Sequence, residues 1–434
     1  MTSHSSTALL SKRLAVLHGH LAAARDARLA VVPTAGAAVA VPPSDFLGFE
    51  ELLGPEERQW RDKARAFAQN HVAPIIDKYY EKAEFPFELL PKLKELGIMG
   101  GTIKGYGCPG MSFMSAAMVV LELARVNSEF AGFFIIVTYL VMLSIEQCGS
   151  EEQKQKWLPR LASADAVGSF GLTEPGAGSD ASGLQTTAKK VAGGWRLNGQ
   201  KRWIGNATFA DVIIIWARNE ETGEVNGFLV EKGTKGLRTE KIENKMCFRC
   251  VQNADIYLED CVVPESARFP NADSFLKGTA GILSASRIFV GWLPVGLAMG
   301  SYDAALKHLK ERQQFGSPLA AFQLMQEKLV RMLANAQAMY LMSWRLSELF
   351  VKHGQVTRGQ SSLVKAHNTL KGRECVALAR EVLGGNGIIY DNVVARHFLD
   401  MEAAYTYEGT YEVNALVCGR EITGIAAFKA PKNK

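Results

Sequence analysis

From residue 44 to about 165 the apolar positions follow a helical period. Trp60, Ala64, Phe67, Ala68 and Val72 fall along one face, behind Pro55, Glu56 and Glu57. Proline suits the first turn of a helix, and acids there complement the positive end of its dipole. The longest apolar run, 131–145, is interrupted by Thr138, Tyr139 and Ser144. It is shorter than the ~20 residues needed to cross a bilayer, so it reads as a core helix and no membrane span is expected.

The period changes between 166 and 280. Gly193-Gly194 reads as a turn before Trp195-Arg196-Leu197, and Asp211 leads into Val212-Ile213-Ile214-Ile215-Trp216. Gly227-Phe228-Leu229-Val230 and Asp255-Ile256-Tyr257-Leu258 are further short runs rich in β-branched and aromatic residues. Strands without intervening helices predict an antiparallel β domain, a small barrel or sandwich. Helical stripes return over 281–434, with long repeats of Leu, Met and Ala across 304–314, 323–352 and 360–383. Gly384-Gly385-Asn386-Gly387 ends the last of these, because glycine tolerates a left-handed helix cap. The fold class expected is therefore α+β and multidomain: an N-terminal helical domain (44–165), a middle antiparallel β domain (166–280) and a C-terminal helical bundle (281–434).

Composition fits a soluble globular protein. Of 434 residues, 47% are hydrophobic and 21% charged, and a net charge of +5 gives no case for nucleic acid binding. Seven cysteines are scattered, and Cys247-x-x-Cys250 has no second pair or His cluster at zinc spacing, so no metal site is expected. Gly105-x-Gly107-x-x-Gly110 matches the dinucleotide fingerprint literally. It follows too short a strand, contains Pro109 where a helix should begin, and lacks a βαβ unit, so it reads as an interhelical loop.

Chemistry concentrates at Tyr405-Thr406-Tyr407-Glu408-Gly409-Thr410-Tyr411-Glu412. A carboxylate between an aromatic residue and a glycine, followed by a hydroxyl, offers a base, close backbone access and a hydrogen-bond donor. On its own the stretch is equally compatible with a surface turn carrying a solvated Glu.

Five motifs in order give the stretch a context. Leu172-Thr173-Glu174-Pro175-Gly176-Ala177-Gly178-Ser179-Asp180 resembles the L-T-E-P-x-x-G-S-D segment of the acyl-CoA dehydrogenase and oxidase family, and Lys201-Arg202-Trp203-Ile204-Gly205-Asn206 resembles its W-I-T-N flavin segment. Arg312-Gln313-Gln314-Phe315-Gly316 with Gln323, then Leu383-Gly384-Gly385-Asn386-Gly387, then Tyr407-Glu408-Gly409-Thr410 follow in family order. The resemblance is nearest to plant-type short-chain peroxisomal acyl-CoA oxidases, with glutaryl-CoA dehydrogenase slightly further off.

The resemblance implies FAD as cofactor, an acyl-CoA substrate and Glu408 as the base that removes the proton α to the thioester. Burial should raise the pKa of this Glu. Phe170, Leu172, Thr173, Ser179, Trp203, Ile204 and Gly205 are implied FAD contacts, with Thr410, Glu412 and Phe428 completing that set. Arg312, Phe315, Gln323, Gly384, Gly385 and Asn386 match contacts that the family makes to FAD from a neighbouring subunit, which implies a homodimer or homotetramer. Ser179, Arg287 and Gly409 are implied substrate contacts.

Three departures from the family pattern shape the expected activity. Gly205 stands where dehydrogenases carry a Thr or Ser hydroxyl near flavin N5; its small volume is expected to leave space for O2. The Arg-Ser pair that holds the distal carboxylate in glutaryl-CoA dehydrogenase falls on Ala131 and Gly132, after Arg125-Val126-Asn127-Ser128, which predicts an unsubstituted acyl chain. The F-D-x-x-R segment stands as Leu283-Ser284-Ala285-Ser286-Arg287, keeping the Arg and losing the Asp.

Residues 1–43 read as a targeting leader. Arg13-Leu14 and His20-Leu21 fit the R-L-x5-H-L peroxisomal import pattern, whereas an Arg- and Ser-rich, acid-poor segment also suits a mitochondrial transit peptide. The C-terminal Pro431-Lys432-Asn433-Lys434 is not of the S-K-L type. The activity expected is a peroxisomal acyl-CoA oxidase for short straight chains, using O2 and met by a peroxisomal import receptor. The alternatives are a mitochondrial matrix dehydrogenase passing electrons to an electron-transfer flavoprotein, or an inactive assembly subunit.

Overall fold

Helices give way to strands at residue 168 and return after residue 264. A computed structural model describes residues 43–427; the leader apart from Pro43, and Phe428, lie outside the described residues. The N-terminal helices are α1 (Pro55–Phe67), α2 (Ile76–Lys82), α3 (Leu90–Leu96), α4 (Phe113–Val126), α5 (Ser128–Ile135), α6 (Leu143–Cys148) and α7 (Glu151–Ala162). Their starts follow local chemistry. Pro55 opens α1, the Ser112 hydroxyl accepts the Ser115 N–H at 3.1 Å, and Ser150 and Gln153 cap α7 reciprocally. The glycines at 105, 107 and 110 occupy the loop between α3 and α4, all at positive φ.

The apolar run 131–145 lies in a rod longer than its length predicts. Asn127 caps α5 by accepting the Phe130 N–H at 2.7 Å, and a π-helical stretch, Ile136–Met142, joins α5 to α6. The result is a largely apolar helical rod of 21 residues, Ser128–Cys148, most of it buried within the fold. A second stretch, Leu276–Glu311, contains an apolar window that is also mostly buried. Both are core helices; protein side chains fill the place that lipid would take.

The middle domain holds β1 (Gly168–Gly171), β2 (Thr187–Val191), β3 (Gly194–Ile204), β4 (Val212–Asn219), β5 (Val225–Glu231), β6 (Leu237–Lys241) and β7 (Ala254–Pro264). Their order is β1-β4-β2-β3-β7-β6, with β5 also paired to β4. The expected antiparallel domain is corrected here, because β1 and β2 both run parallel to β4. Strand propensity is visible in a local run, but the partner of β1 lies some forty residues away and its direction has no local marker. On β3 the register slips between Lys201, opposite Ile256, and Ile204, opposite Ala254. Arg202 and Trp203 therefore occupy a bulge, a device that re-aims side chains beside functional sites.

The C-terminal region contains α8 (Gly281–Glu311), a hairpin of β8 (Gln313–Gln314) and β9 (Ser317–Pro318), then α9 (Gln323–His353), α10 (Arg358–Val382), α11 (Val393–Thr406) and α12 (Tyr411–Thr423). The helix expected to reach residue 314 stops at Glu311, and Gln313 and Gln314 enter the hairpin. Gly296 lets α4 lie close against α8: a Cβ there would stand 2.6 Å from both Ala124 Cβ and the Leu121 carbonyl. This contact fuses both helical regions into one core, and the β domain stacks against its edge.

Candidate active site

Glu408 sits in the four-residue turn between α11 and α12. Its φ is +56° and that of Gly409 is +88°, so both adopt the left-handed conformation. For Gly409 this is unstrained; for Glu408 it costs about 1–2 kcal/mol. Hydrogen bonds hold the turn in place. Buried Lys365 on α10 donates to the Gly409 carbonyl at 2.7 Å and to the Tyr405 carbonyl at 3.3 Å. Asn414 Nδ2 also donates to Gly409 O at 2.7 Å, and Arg287 Nε to Glu408 O at 3.3 Å. The Thr410 hydroxyl accepts the Val413 N–H at 3.3 Å and starts α12.

The Glu408 carboxylate points inward. Oε1 accepts from Ser286 Oγ at 3.3 Å, and Oε2 has no hydrogen-bond partner among the described residues. Burial pushes the carboxyl above its ordinary value, while Arg287, Lys365 and the Ser286 hydroxyl pull it back. Burial also pushes Lys365 down to about 7, against the attraction of Glu408. An unpartnered carboxylate oxygen in a dry wall, with raised basicity, is equipped to take a proton.

Glu408 borders a cavity of about 290 Å³ between the β domain and the helices. Phe170, Leu172, Thr173, Ser179, Trp203, Ile204 and Gly205 line it, as do Arg287, Glu408 and Gly409. The structure thus brings ten of the sequence-derived site residues together. Glu174 pins this wall from behind. It pairs with Lys201 Nζ at 2.7 Å and accepts the Thr186 N–H at 2.9 Å, while Lys201 also donates to Leu172 O at 3.1 Å. Trp203, at φ +65° in the bulge of β3, is 52% exposed and turns its indole to the cavity mouth.

The remaining expected contacts lie elsewhere in the chain. Thr410 is the N-cap of α12 and Glu412 lies in its first turn; neither lines the cavity. Arg312, Phe315, Gln323, Gly384, Gly385 and Asn386 form an exposed surface apart from it, with Phe315 92% exposed. Arg287, expected at the CoA portion, donates to the Glu408 backbone carbonyl. Lys365, Ser286 and Phe248 are functional neighbours that the sequence reading missed. Ser286 stood in a quoted segment without a role; Lys365 and Phe248 carry no local signal.

The space expected beside Gly205 is filled. A Cβ at this position would stand 2.7 Å from Ile136 Cδ1 and 3.3 Å from Val251 Cγ1. The glycine therefore corrects the expectation: it removes a hydroxyl, but the volume it releases is taken by the tip of Ile136.

Three regions in the order helix, sheet, helix enclose a cavity at their junction, with Glu408 in its lining. Family models for the N-terminal, middle and C-terminal domains of acyl-CoA dehydrogenase match residues 54–165, 169–261 and 278–423. A probable acyl-CoA dehydrogenase of Bacillus subtilis is 32% identical over 85% of this chain and 98% of its own length. A glutaryl-CoA dehydrogenase from Mycobacterium smegmatis, solved in complex with FADH2, is 34% identical with a TM-score of 0.86, covering 89% of this chain and 100% of that one. Butyryl-CoA dehydrogenase from Megasphaera elsdenii is 30% identical with a TM-score of 0.81, covering 86% and 99%. The chain belongs to the acyl-CoA dehydrogenase family.

Proposed function

We propose that the protein is an FAD-dependent acyl-CoA oxidase, converting a short straight-chain acyl-CoA and O2 to the trans-2-enoyl-CoA and H2O2. The observation that carries the chemistry is Glu408 in the cavity lining, with its Oε2 buried and unpartnered among the described residues. The cavity suits a flat heteroaromatic ring: the half-exposed Trp203 lines it together with Thr173 and Gly205. Phe170, Leu172, Thr173, Trp203 and Ile204 would hold FAD, which when bound would supply a two-electron acceptor for the hydride leaving Cβ. Glu408 takes the α-proton, Arg287 and Lys365 fix the turn that carries it, and apolar walls exclude water from the carboxylate. The neighbouring-subunit contacts proposed for Arg312, Phe315, Gln323, Gly384, Gly385 and Asn386 make the working unit a homodimer or a homotetramer built from it.

The apolar part of the cavity lining, Ile135, Ile136, Leu140, Phe248 and Val251 with Gly132, suits an unsubstituted chain. Arg287, next to Glu408, is the one cationic side chain lining the cavity among the described residues. Arg125 is instead paired with Asp303 and Glu122. A distal carboxylate would be buried without a partner, at a cost of several kcal/mol.

The loss of the hydroxyl at Gly205 supports O2 as acceptor, and the R-L-x5-H-L pattern of the leader supports import into peroxisomes. A second reading, a mitochondrial dehydrogenase serving an electron-transfer flavoprotein, draws on Ile136 filling the space at Gly205 and on relatives that carry dehydrogenase names. An aerobic assay of the purified chain across acyl-CoA lengths separates them. One H2O2 per enoyl-CoA is expected; turnover only with an electron-transfer flavoprotein sinks the oxidase. Fluorescent fusions to residues 1–43 test the compartment.

A further inference from the structure

We propose that Phe248, on the β6–β7 connection, is the residue that limits acyl-chain length. The inference rests on the acyl-CoA reading of the cavity and specifies its substrate range. Phe248 lines the cavity together with Gly132, Ile136 and Val251. Its ring covers Gly132 of α5 so closely that a Cβ there would stand 2.7 Å from Phe248 Cε1. Any side chain at position 132 would therefore displace the ring. The other edge meets Tyr407, the residue before the base, at 5.6 Å between centroids and 66° between planes. The aromatic plug thus spans from α5 to the catalytic turn.

The plug is held rigidly. Phe248 has a φ of +50°, an unfavourable conformation for a bulky residue that its surroundings enforce. Its N–H donates to Asp400 Oδ1 at 2.8 Å, and its carbonyl accepts from Lys245 Nζ. Two residues on, the Cys250 N–H donates to Glu129 Oε1 at 3.1 Å. Glu129 lies one helical turn before Gly132, so the same face of α5 grips the loop and leaves room for the ring. Arg249 anchors the loop from a third side through the Tyr80 and Glu81 carbonyls, both at 2.8 Å. A wall fixed from α2, α5 and α11 cannot yield to a longer chain as a mobile loop would.

The test compares wild type with Phe248→Leu and Phe248→Ala in the full-length flavoprotein. It measures kcat/KM for butyryl-, hexanoyl-, octanoyl- and decanoyl-CoA, and calorimetric binding of the matching trans-2-enoyl-CoA products. Each methylene newly accepted by an apolar pocket is worth on the order of 10-fold in kcat/KM. Both variants should raise the octanoyl-to-butyryl ratio by roughly that factor or more, with Phe248→Ala exceeding Phe248→Leu, and product affinities should shift alike. If Phe248→Ala does not retain FAD, Phe248→Leu alone decides. Unchanged ratios, or a uniform loss across all lengths, overturn the proposal while the acyl-CoA reading stands. A wild-type protein that no acyl-CoA reduces overturns both.

Discussion

Lys365 Nζ lies 2.7 Å from the carbonyl oxygen of Gly409, so a buried ammonium on α10 clamps the turn that carries Glu408. The same nitrogen reaches the last turn of α11 through Tyr405 O. Lys365 is a positioning residue: it orients the base and, as a nearby cation, keeps its pKa from rising as far as burial alone would take it. Lys365→Met should lower kcat on the order of 10²-fold, the cost of about 1 Å of misplacement, with KM for acyl-CoA little changed. The acid limb of the pH–rate profile should move to higher pH, because a stabilising charge is lost from the ionised base. A limb that stays in place sinks the electrostatic part of this role.

Glu408→Gln keeps the volume and removes the base. The variant should retain FAD and bind acyl-CoA, while flavin reduction in stopped flow slows by roughly 10²–10⁴-fold or more, the usual contribution of a general base. Reduction at the wild-type rate would mean that another group takes the α-proton.

Glu408 was legible in the sequence because its neighbours Tyr407, Gly409 and Thr410 form a contiguous pattern, supported by the segments around Thr173 and Trp203. The three-domain order was legible because helical and strand periods differ. Lys365 was not, since it meets the turn only after α10 folds back beside α11 and α12. The space at Gly205 was misjudged for the same reason: a glycine reads locally as room, and Ile136 comes from another domain to occupy it. The bulge that turns Trp203 outward depends on the register of β3 against β7, which strand propensity does not encode.

The carboxylates that hold the Phe248 loop make stability pH-dependent. Burial, reinforced by the charge of Asp400, raises Glu129 to about 8, and burial raises Asp400 to about 6. Folded pKa values above the unfolded ones give stability that is full below about pH 4 and is lost as pH rises through the folded values. Lys245, lowered by burial to about 8, acts in the opposite direction and only above that pH. The melting temperature should therefore fall between about pH 4.5 and pH 8, and Glu129→Gln should flatten the fall. Parallel wild-type and variant curves across this window would rule out Glu129 as its source.

Gly205 offers the sharpest test of the electron acceptor, once Ile136 is taken into account. Gly205→Thr alone places a Cβ 2.7 Å from Ile136 Cδ1 and should destabilise the protein by about 1–3 kcal/mol through overpacking. Any change in its reaction with O2 would then mix displacement of Ile136 with the added hydroxyl. Ile136→Ala removes the nearest contact, and Gly205→Thr in that background introduces the hydroxyl with only Val251 Cγ1, 3.3 Å from the new Cβ, left to adjust. If the missing hydroxyl favours O2, the double variant should reoxidise more slowly than Ile136→Ala, with reduction by acyl-CoA matched between them. Gly205→Ala in the same background separates methyl volume from the hydroxyl. Equal reoxidation by O2 in all three proteins would remove Gly205 from the argument for an oxidase and leave the second reading as the stronger one.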